Sequence, residues 1–407
     1  MGRNKKNVPK RRFKEFENSE AWEKRKLATI AEFNPKAELP ETFEYVDLES
    51  VVGTEMIAHR EERKVTAPSR AQRLARQGDL FYQTVRPYQK NNYLFEKSCN
   101  NYVFSTGYAQ MRPHGDGYFL LTLVQNNGFV KSVLDRCTGT SYPAINSNDL
   151  AEMEVYIPVK NNEQVKIGNY FKSLDTLITL HQHKLDKTKA LKKAYLTEMF
   201  PAEGERKPKL RFAGYANDWE QRKLGEYLKL ITYGFTNPMP DTDNGPWKIT
   251  AKDIVDGQIN YNMARHTEIQ AYENLLTSKS KPVLEDVLLT KDGTLGRSAI
   301  VRENGVCINQ SVALLRCNQD ILCPSFLNVL LSSKRYQTKM LDDAGGGTIK
   351  HIYISKVEKM VIEIPDIDEQ KQISVYFQKL DNLIILHQRK LEKLQDIKKA
   401  YLNEMFI

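Results

Sequence analysis

Residues 170–200, YFKSLDTLITLHQHKLDKTKALKKAYLTEMF, return at residues 376–406 as YFQKLDNLIILHQRKLEKLQDIKKAYLNEMF. Twenty of the 31 positions are identical at a constant offset of 206, which chance does not produce. Repetition of this kind decides the architecture. It extends upstream, where Pro9, Phe13, Phe16, Asn18, Trp22, Glu23, Arg25, Lys26 and Leu27 recur as Pro208, Phe212, Tyr215, Asn217, Trp219, Glu220, Arg222, Lys223 and Leu224. Between these anchors Gly78–Phe81 corresponds to Glu285–Leu288, Val103–Arg112 to Cys307–Arg316, and Thr140–Pro158 to Gly347–Pro365. Apolar positions are kept there while polar ones change, the pattern of one fold facing two ligands.

Phe171, Leu174, Ile178, His181, Leu185, Tyr195 and Met199 fall on one heptad seam, interrupted by Thr188 and Lys192. Phe377, Leu380, Ile384, His387, Leu391, Leu394, Tyr401 and Met405 repeat it, so the two stripes are natural partners. Asp366 and Glu369 suggest a capping box, and Pro201 and Gly204 stop the first helix. A 31-residue helix spans about 46 Å. Packed antiparallel, two such helices place a globular domain at each end with pseudo-two-fold symmetry, separated by roughly 13 base pairs of B-DNA.

The intervening stretches carry short strand-like runs, DVLLT, SAIVR, SVALLRC and MVIEIP, with helical segments such as SFLNVLLSSKRYQTKML among them. The expected fold class is α+β, twice. The implied division is a basic N-terminal segment at 1–21, a first domain at 22–158, a helix at 159–200, a linker at 201–218, a second domain at 219–365 and a second helix at 366–407.

The formal net charge is +9, and residues 1–26 hold ten Lys or Arg against four Glu. Charge alone is therefore weak evidence for a polyanionic partner, although it is compatible with one. The five cysteines form no C-x-x-C pair, which argues against a disulfide framework and a zinc site. No apolar run reaches the roughly 20 residues of a membrane span, and the basic N-terminus lacks an apolar stretch after it, so a cytoplasmic protein is expected.

Catalytic signatures are missing: there is no G-x-x-x-x-G-K-[ST], H-E-x-x-H or G-x-S-x-G, and GGGTIK at 345–350 reads as a turn. Pro365-Asp366 with Glu369-Gln370-Lys371 resembles a nuclease carboxylate cluster, but helix capping accounts for it and the first copy lacks it. His181 and His387 share one seam position, where packing outweighs metal ligation. No catalytic residue and no metal site is assigned.

WEQRKLGEY after PKLRFAGYAND, then GTIKHIYISKVEKMVIEIPDIDEQKQI, then LDNLIILHQRKLEKLQDIKKAYLNEMF, each with a second version in the first half, resemble the DNA specificity subunit of type I restriction-modification systems over nearly the whole chain. The resemblance implies two target recognition domains, each reading half of a bipartite sequence, with the helices fixing the spacer. It implies double-stranded DNA, two methyltransferase (modification) subunits and motor-nuclease (restriction) subunits as partners. S-adenosylmethionine, ATP and Mg would sit on those partners and no cofactor on this chain. The first half departs from the pattern, since TSYPAINSNDL lacks the Gly-rich entry of GGGTIKHIYIS. A self-contained nuclease or methyltransferase and a protein scaffold are the rival readings.

Base reading needs Arg, Lys, Asn, Gln or Ser/Thr at groove edges, carried on loops of a rigid scaffold. The candidates in the first domain are Arg70, Arg73, Arg86, Tyr88, Tyr108, Gln110, Ser141 and Tyr142. In the second they are Tyr233, Thr236, Lys291, Arg297, Asn309, Gln310, Thr348, Lys350 and His351. The seam residues Phe171, Leu174, Ile178, His181, Leu185, Phe377, Leu380, Ile384, His387 and Leu391 are assigned to helix packing.

Overall fold

A computed structural model describes residues 7–139, 141–346 and 350–407. The chain forms two compact units, residues 1–182 with 388–407, and residues 183–387. These units cut across the linear division read from the sequence, because each takes part of both long helices.

Both units are α+β and follow one plan. In the first, strands Ala31–Phe33, Tyr108–Pro113, Leu80–Gln83 and Tyr93–Leu94 form an antiparallel sheet in that spatial order. Its counterpart in the second unit is Leu228–Tyr233, Val312–Cys317, Val287–Thr290 and Ser298–Ile300. A second sheet holds a parallel pair in each unit, Thr42–Val46 with Tyr102–Ser105 and Asp241–Ile249 with Val306–Ile308. The run VLLT at 287–290 is buried at every position, which explains why it reads as an unbroken apolar strand rather than an alternating one.

Two helices follow each sheet, Gly117–Gln125 with Asn127–Leu134 and Pro324–Ser332 with Lys334–Asp342. The segment expected as one helix over SFLNVLLSSKRYQTKML thus breaks at Ser333, whose ψ of 148° is extended. Asn126 makes the same break in the first unit, and its side chain accepts from the Gly128 and Phe129 amides.

An antiparallel strand pair leads into each long helix: Glu23–Lys26 with Glu154–Ile157, and Glu220–Lys223 with Val361–Ile364. The helices themselves run Asn161–Glu198 and Ile367–Glu404. Within each unit their segments lie antiparallel. In the first, Tyr170 packs against Tyr401 at 5.3 Å between ring centroids and Asp175 pairs with Lys398 at 2.5 Å. In the second, Tyr195 packs against Tyr376 at 5.4 Å and Lys192 pairs with Asp381 at 2.5 Å. Phe171, Leu174, Leu185, Phe377, Leu380 and Leu391 are buried, and Ile178, His181, Ile384 and His387 are half-buried.

The cores repeat as well. Trp22 meets Phe119 and Phe406 edge-on at 6.2 and 6.0 Å, and Trp219 meets Phe326 and Phe200 at 5.8 and 5.9 Å. Each helix start is tied down by a buried bidentate pair. Arg12 donates through Nε and Nη2 to Glu163, both at 2.6 Å, and Arg211 does the same to Glu369, both at 2.7 Å. Arg12 in the basic N-terminal segment and Arg211 in the linker are therefore structural parts of their units. The backbone just before each also closes on a helix end, since the Arg11 amide donates to the Glu404 carbonyl and the Leu210 amide to the Glu198 carbonyl, each at 2.8 Å.

Asp366 accepts from the Glu369 amide at 2.9 Å, as a cap should, but the Glu369 carboxylate faces Arg211 rather than reaching back. Half of the expected capping box is present. The arrangement also accounts for the carboxylates that resemble a nuclease cluster, and among the described residues no group of His, Cys, Asp and Glu could hold a metal ion. Among the described residues no helix is long and apolar enough to cross a membrane.

Candidate nucleic-acid interface

The first sheet of each unit delivers its central strand to the same place. In the first unit the strand Leu80–Gln83 runs on into Thr84-Val85-Arg86, and residues 143–145 lie beside it. The Ile145 amide donates to the Thr84 carbonyl at 3.0 Å and the Arg86 amide to the Pro143 carbonyl at 2.7 Å. Isolated bridges join Val85 to Ala144 and Thr138 to Ala144. In the second unit the Ile352 amide donates to the Lys291 carbonyl at 2.9 Å, and Gly345 bridges His351. Pro143, Ala144 and Ile145, in the stretch that departs in sequence from GGGTIKHIYIS, thus occupy the place that His351 and Ile352 take in the second unit.

This junction gathers candidates in both units. In the first, Arg86 lies 4.3 Å above the ring of Tyr142, and Tyr88 and Ser141 stand exposed on the same two segments. In the second, the Lys291 ammonium lies 5.5 Å over the ring of Tyr233 and bonds Asp292 at 2.6 Å, while His351 Nδ1 pairs with the other Asp292 oxygen. Burial pushes the Asp292 carboxyl up, but Lys291 and His351 outweigh it and hold the group below its ordinary value. Lys350 is exposed beside them, and Thr348 lies outside the described residues.

Thr236, Asn309 and Gln310 meet elsewhere in the second unit, lining an open concavity of about 400 Å³ with Lys248, Lys252 and Arg265. Sequence reading missed these three cations. Strand alternation was the available signal, since it turns Lys248 away from its apolar neighbours Trp247 and Ile249. Asn309 commits its side-chain oxygen to the Ser311 amide and hydroxyl. Arg297 is exposed and donates to the Ile254 carbonyl at 3.3 Å. Arg70 is exposed, whereas Arg73 is half-buried, with its guanidinium pKa drawn down by burial.

Two candidates need correction. Tyr108 and Gln110 are fully buried. Tyr108 packs edge-on against Phe81 and Phe104 and donates to the Asp47 carbonyl at 3.2 Å. Gln110 Nε2 donates to the Leu74 carbonyl and to Asp79 at 2.8 and 2.7 Å. That places Gln110 in a structural ion-pair site, where Arg112 clamps Asp79 through Nε at 2.8 Å, as Arg316 clamps Asp286 at 2.9 Å. Neither residue can reach a base edge from the core, so both leave the candidate set.

The sequence profile of the family described as the type I restriction modification DNA specificity domain matches residues 57–190 and 216–396. The chain is 30% identical over 160 residues to the type I restriction enzyme EcoBI specificity subunit of Escherichia coli, covering 38% of this chain and 33% of that protein. It is 22% identical over 298 residues to the putative type I restriction enzyme MjaX specificity subunit of Methanocaldococcus jannaschii, covering 70% and 66% of the two. It therefore spans a third of the first relative's length and just under two thirds of the second's. The crystal structure of a type I restriction-modification system S subunit from M. genitalium has the same fold, with a TM-score of 0.65 at 14% identity over 98% of this chain and 99% of that one. A chain from a study of assembly and conformational transition of the type I R-M system matches with a TM-score of 0.50 at 22% identity, covering 95% and 97%. With the duplicated fold and the profile match in both halves, the chain belongs to the type I restriction-modification DNA specificity family.

Proposed function

We propose that the chain is the non-catalytic DNA-reading subunit of a type I restriction-modification complex, each globular domain reading one half of an asymmetric, split target. One observation carries this reading. The same scaffold occurs twice, and at one equivalent junction it presents Arg86 and Tyr142 in one unit but Lys291, Asp292 and His351 in the other. Two versions of one surface call for two ligands of one class, and two half-sites of duplex DNA fit a chain of net charge +9.

The long helices serve as the spacer. Each has 38 residues, about 57 Å at 1.5 Å per residue. Leu177 and Leu180 on the first, and Leu383 and Leu386 at the repeated positions on the second, are 42 to 44% exposed. Identical apolar pairs left in solvent on both helices suit the docking of two modification subunits. Those subunits would carry S-adenosylmethionine and methylate adenine, and restriction subunits would use ATP and Mg.

Mapping methylated adenines in cells with and without this gene tests the reading. The expected result is a split motif with a constant gap that disappears with the gene, and exchanging one domain changes one half only. A continuous motif, or none, rejects it. Replacing Leu177 and Leu180 together by Lys should release modification subunits while DNA binding by the chain persists; undiminished assembly would move the docking surface elsewhere.

A further inference from the structure

Six non-glycine residues among those described adopt positive φ: Asn7, Asn34, Arg86, Lys90, Asp256 and Glu285. Asn and Asp tolerate this region well. Lys90 and Glu285 do not, but each has a local reason to be there. The Lys90 ammonium donates to the Gln125 carbonyl at 2.8 Å and to Asn127 at 2.6 Å, and Glu285 pairs with Arg302. Arg86, at φ 54°, is held there by its backbone, with its amide bonded to the Pro143 carbonyl at 2.7 Å, and its side chain makes no such bond. Among the described residues nothing accepts a hydrogen bond from its guanidinium.

The counterpart of Arg86 in the second unit is Gly293, at φ 77°. The hydrogen bonds at the junction fix this equivalence, since Ile145 to Thr84 in one unit matches Ile352 to Lys291 in the other. The fold therefore requires a left-handed residue at this point. The second unit supplies glycine, the residue that adopts it without strain, and the first places a long cationic side chain there instead. Strained conformations held by surrounding structure collect at functional sites. The surroundings here hold firmly, with the Arg86 amide bonded to Pro143 and its guanidinium laid on the exposed ring of Tyr142.

We propose that Arg86 reads a guanine in the half-site bound by the first unit, an assignment that rests on the DNA-reading function proposed above. A guanidinium stacked on an aromatic face keeps its in-plane N–H edges free, and a planar fork with two parallel donors matches the O6 and N7 acceptors of guanine in the major groove. Stacking also fixes the side chain before DNA arrives, which lowers the ordering cost of the contact. Tyr142 is the positioning residue.

Selection from randomised duplexes by the full chain, followed by sequencing, tests this. The variants are Arg86→Lys, which keeps the charge but loses the fork, and Arg86→Asn, which suits the left-handed backbone. Both should lower discrimination at one G·C pair of one half-site by about 5- to 150-fold and leave the other half-site as the internal control. Tyr142→Ala should relax the same pair to a smaller extent, and Tyr142→Phe, which preserves the stack, should restore it. Equal weakening on all sequences would make Arg86 a phosphate contact and overturn the assignment, as would an unchanged motif in both variants. A wild-type chain that selects no split motif would instead remove the DNA-reading function itself.

Discussion

In the first unit the carboxylate at the start of the long helix serves two donors, because Glu163 accepts from Arg12 and, at 3.2 Å, from Trp22 Nε1. In the second, Glu369 holds Arg211, while Trp219 Nε1 is buried without a hydrogen-bond partner among the described residues. The aromatic cores around these pairs correspond ring for ring, and so do the Asp79–Arg112 and Asp286–Arg316 clamps. Duplication has preserved the groups that attach sheet to helix, with one hydrogen bond dropped in the second copy. Divergence is concentrated where strands end and side chains meet solvent.

The largest test of this comparison removes the carboxylates. Breaking a buried pair leaves an uncompensated charge, so Glu163→Ala and Glu369→Ala should each destabilise their own unit by about 3–5 kcal/mol. Hydrogen exchange of the full chain, read unit by unit, should show the greater loss for Glu163→Ala, since it also orphans Trp22. Equal losses would mean that the Trp22 bond adds nothing.

Gly168 marks a smaller asymmetry. A Cβ there would lie 2.1 Å from Asp116 Oδ1, the atom that caps the helix Gly117–Gln125 through the Phe119 amide. In the second unit Cys323 stands at the cap position without a side-chain cap, and Ser374 replaces the glycine. Gly168→Ala should therefore cost about 1–3 kcal/mol by denaturant unfolding, while Ser374→Ala changes stability by less. A neutral Gly168→Ala would show that the cap can move aside. Asp116→Ala should cost about 1 kcal/mol, against almost nothing for Cys323→Ala in the same assay.

The smallest expected effect depends on pH. Asp292 is held below its ordinary pKa in the folded chain, so its stabilisation is present above the unfolded value and is lost as pH falls through the folded one. Solvent screening keeps this under about 1 kcal/mol. Asp292→Asn should flatten the acid side of the second unit's stability profile and leave the first unit unaffected, because Val85 occupies the equivalent position there. An identical acid limb in wild type and variant would assign the dependence to other carboxylates.

These contrasts also mark what could be read before the structure. The long helices were legible because heptad spacing and near-identity reinforce each other, and VLLT was legible as a strand because every position is apolar. Gln110 was not, since a polar residue on a strand looks exposed until Asp79 and the Leu74 carbonyl arrive from distant parts of the chain to satisfy it. Arg12 was hidden among other cations in the basic segment, and its partner Glu163 lies 151 residues away. The candidates at the strand exits were found from residue type, but the conformation of Arg86 was not, because backbone handedness at a non-glycine residue leaves no trace in composition.

The closing of Arg11 onto Glu404 has a consequence for synthesis. The second unit is a continuous stretch, residues 183–387, whereas the first needs residues 388–407 to complete it. At about 5–20 residues per second on the ribosome, the earlier-made sheets wait for tens of seconds for their last structural element. The unit begun first closes its core after the second unit has been made, and the nascent first domain carries Trp22 and Phe119 without Phe406 until that residue is synthesised.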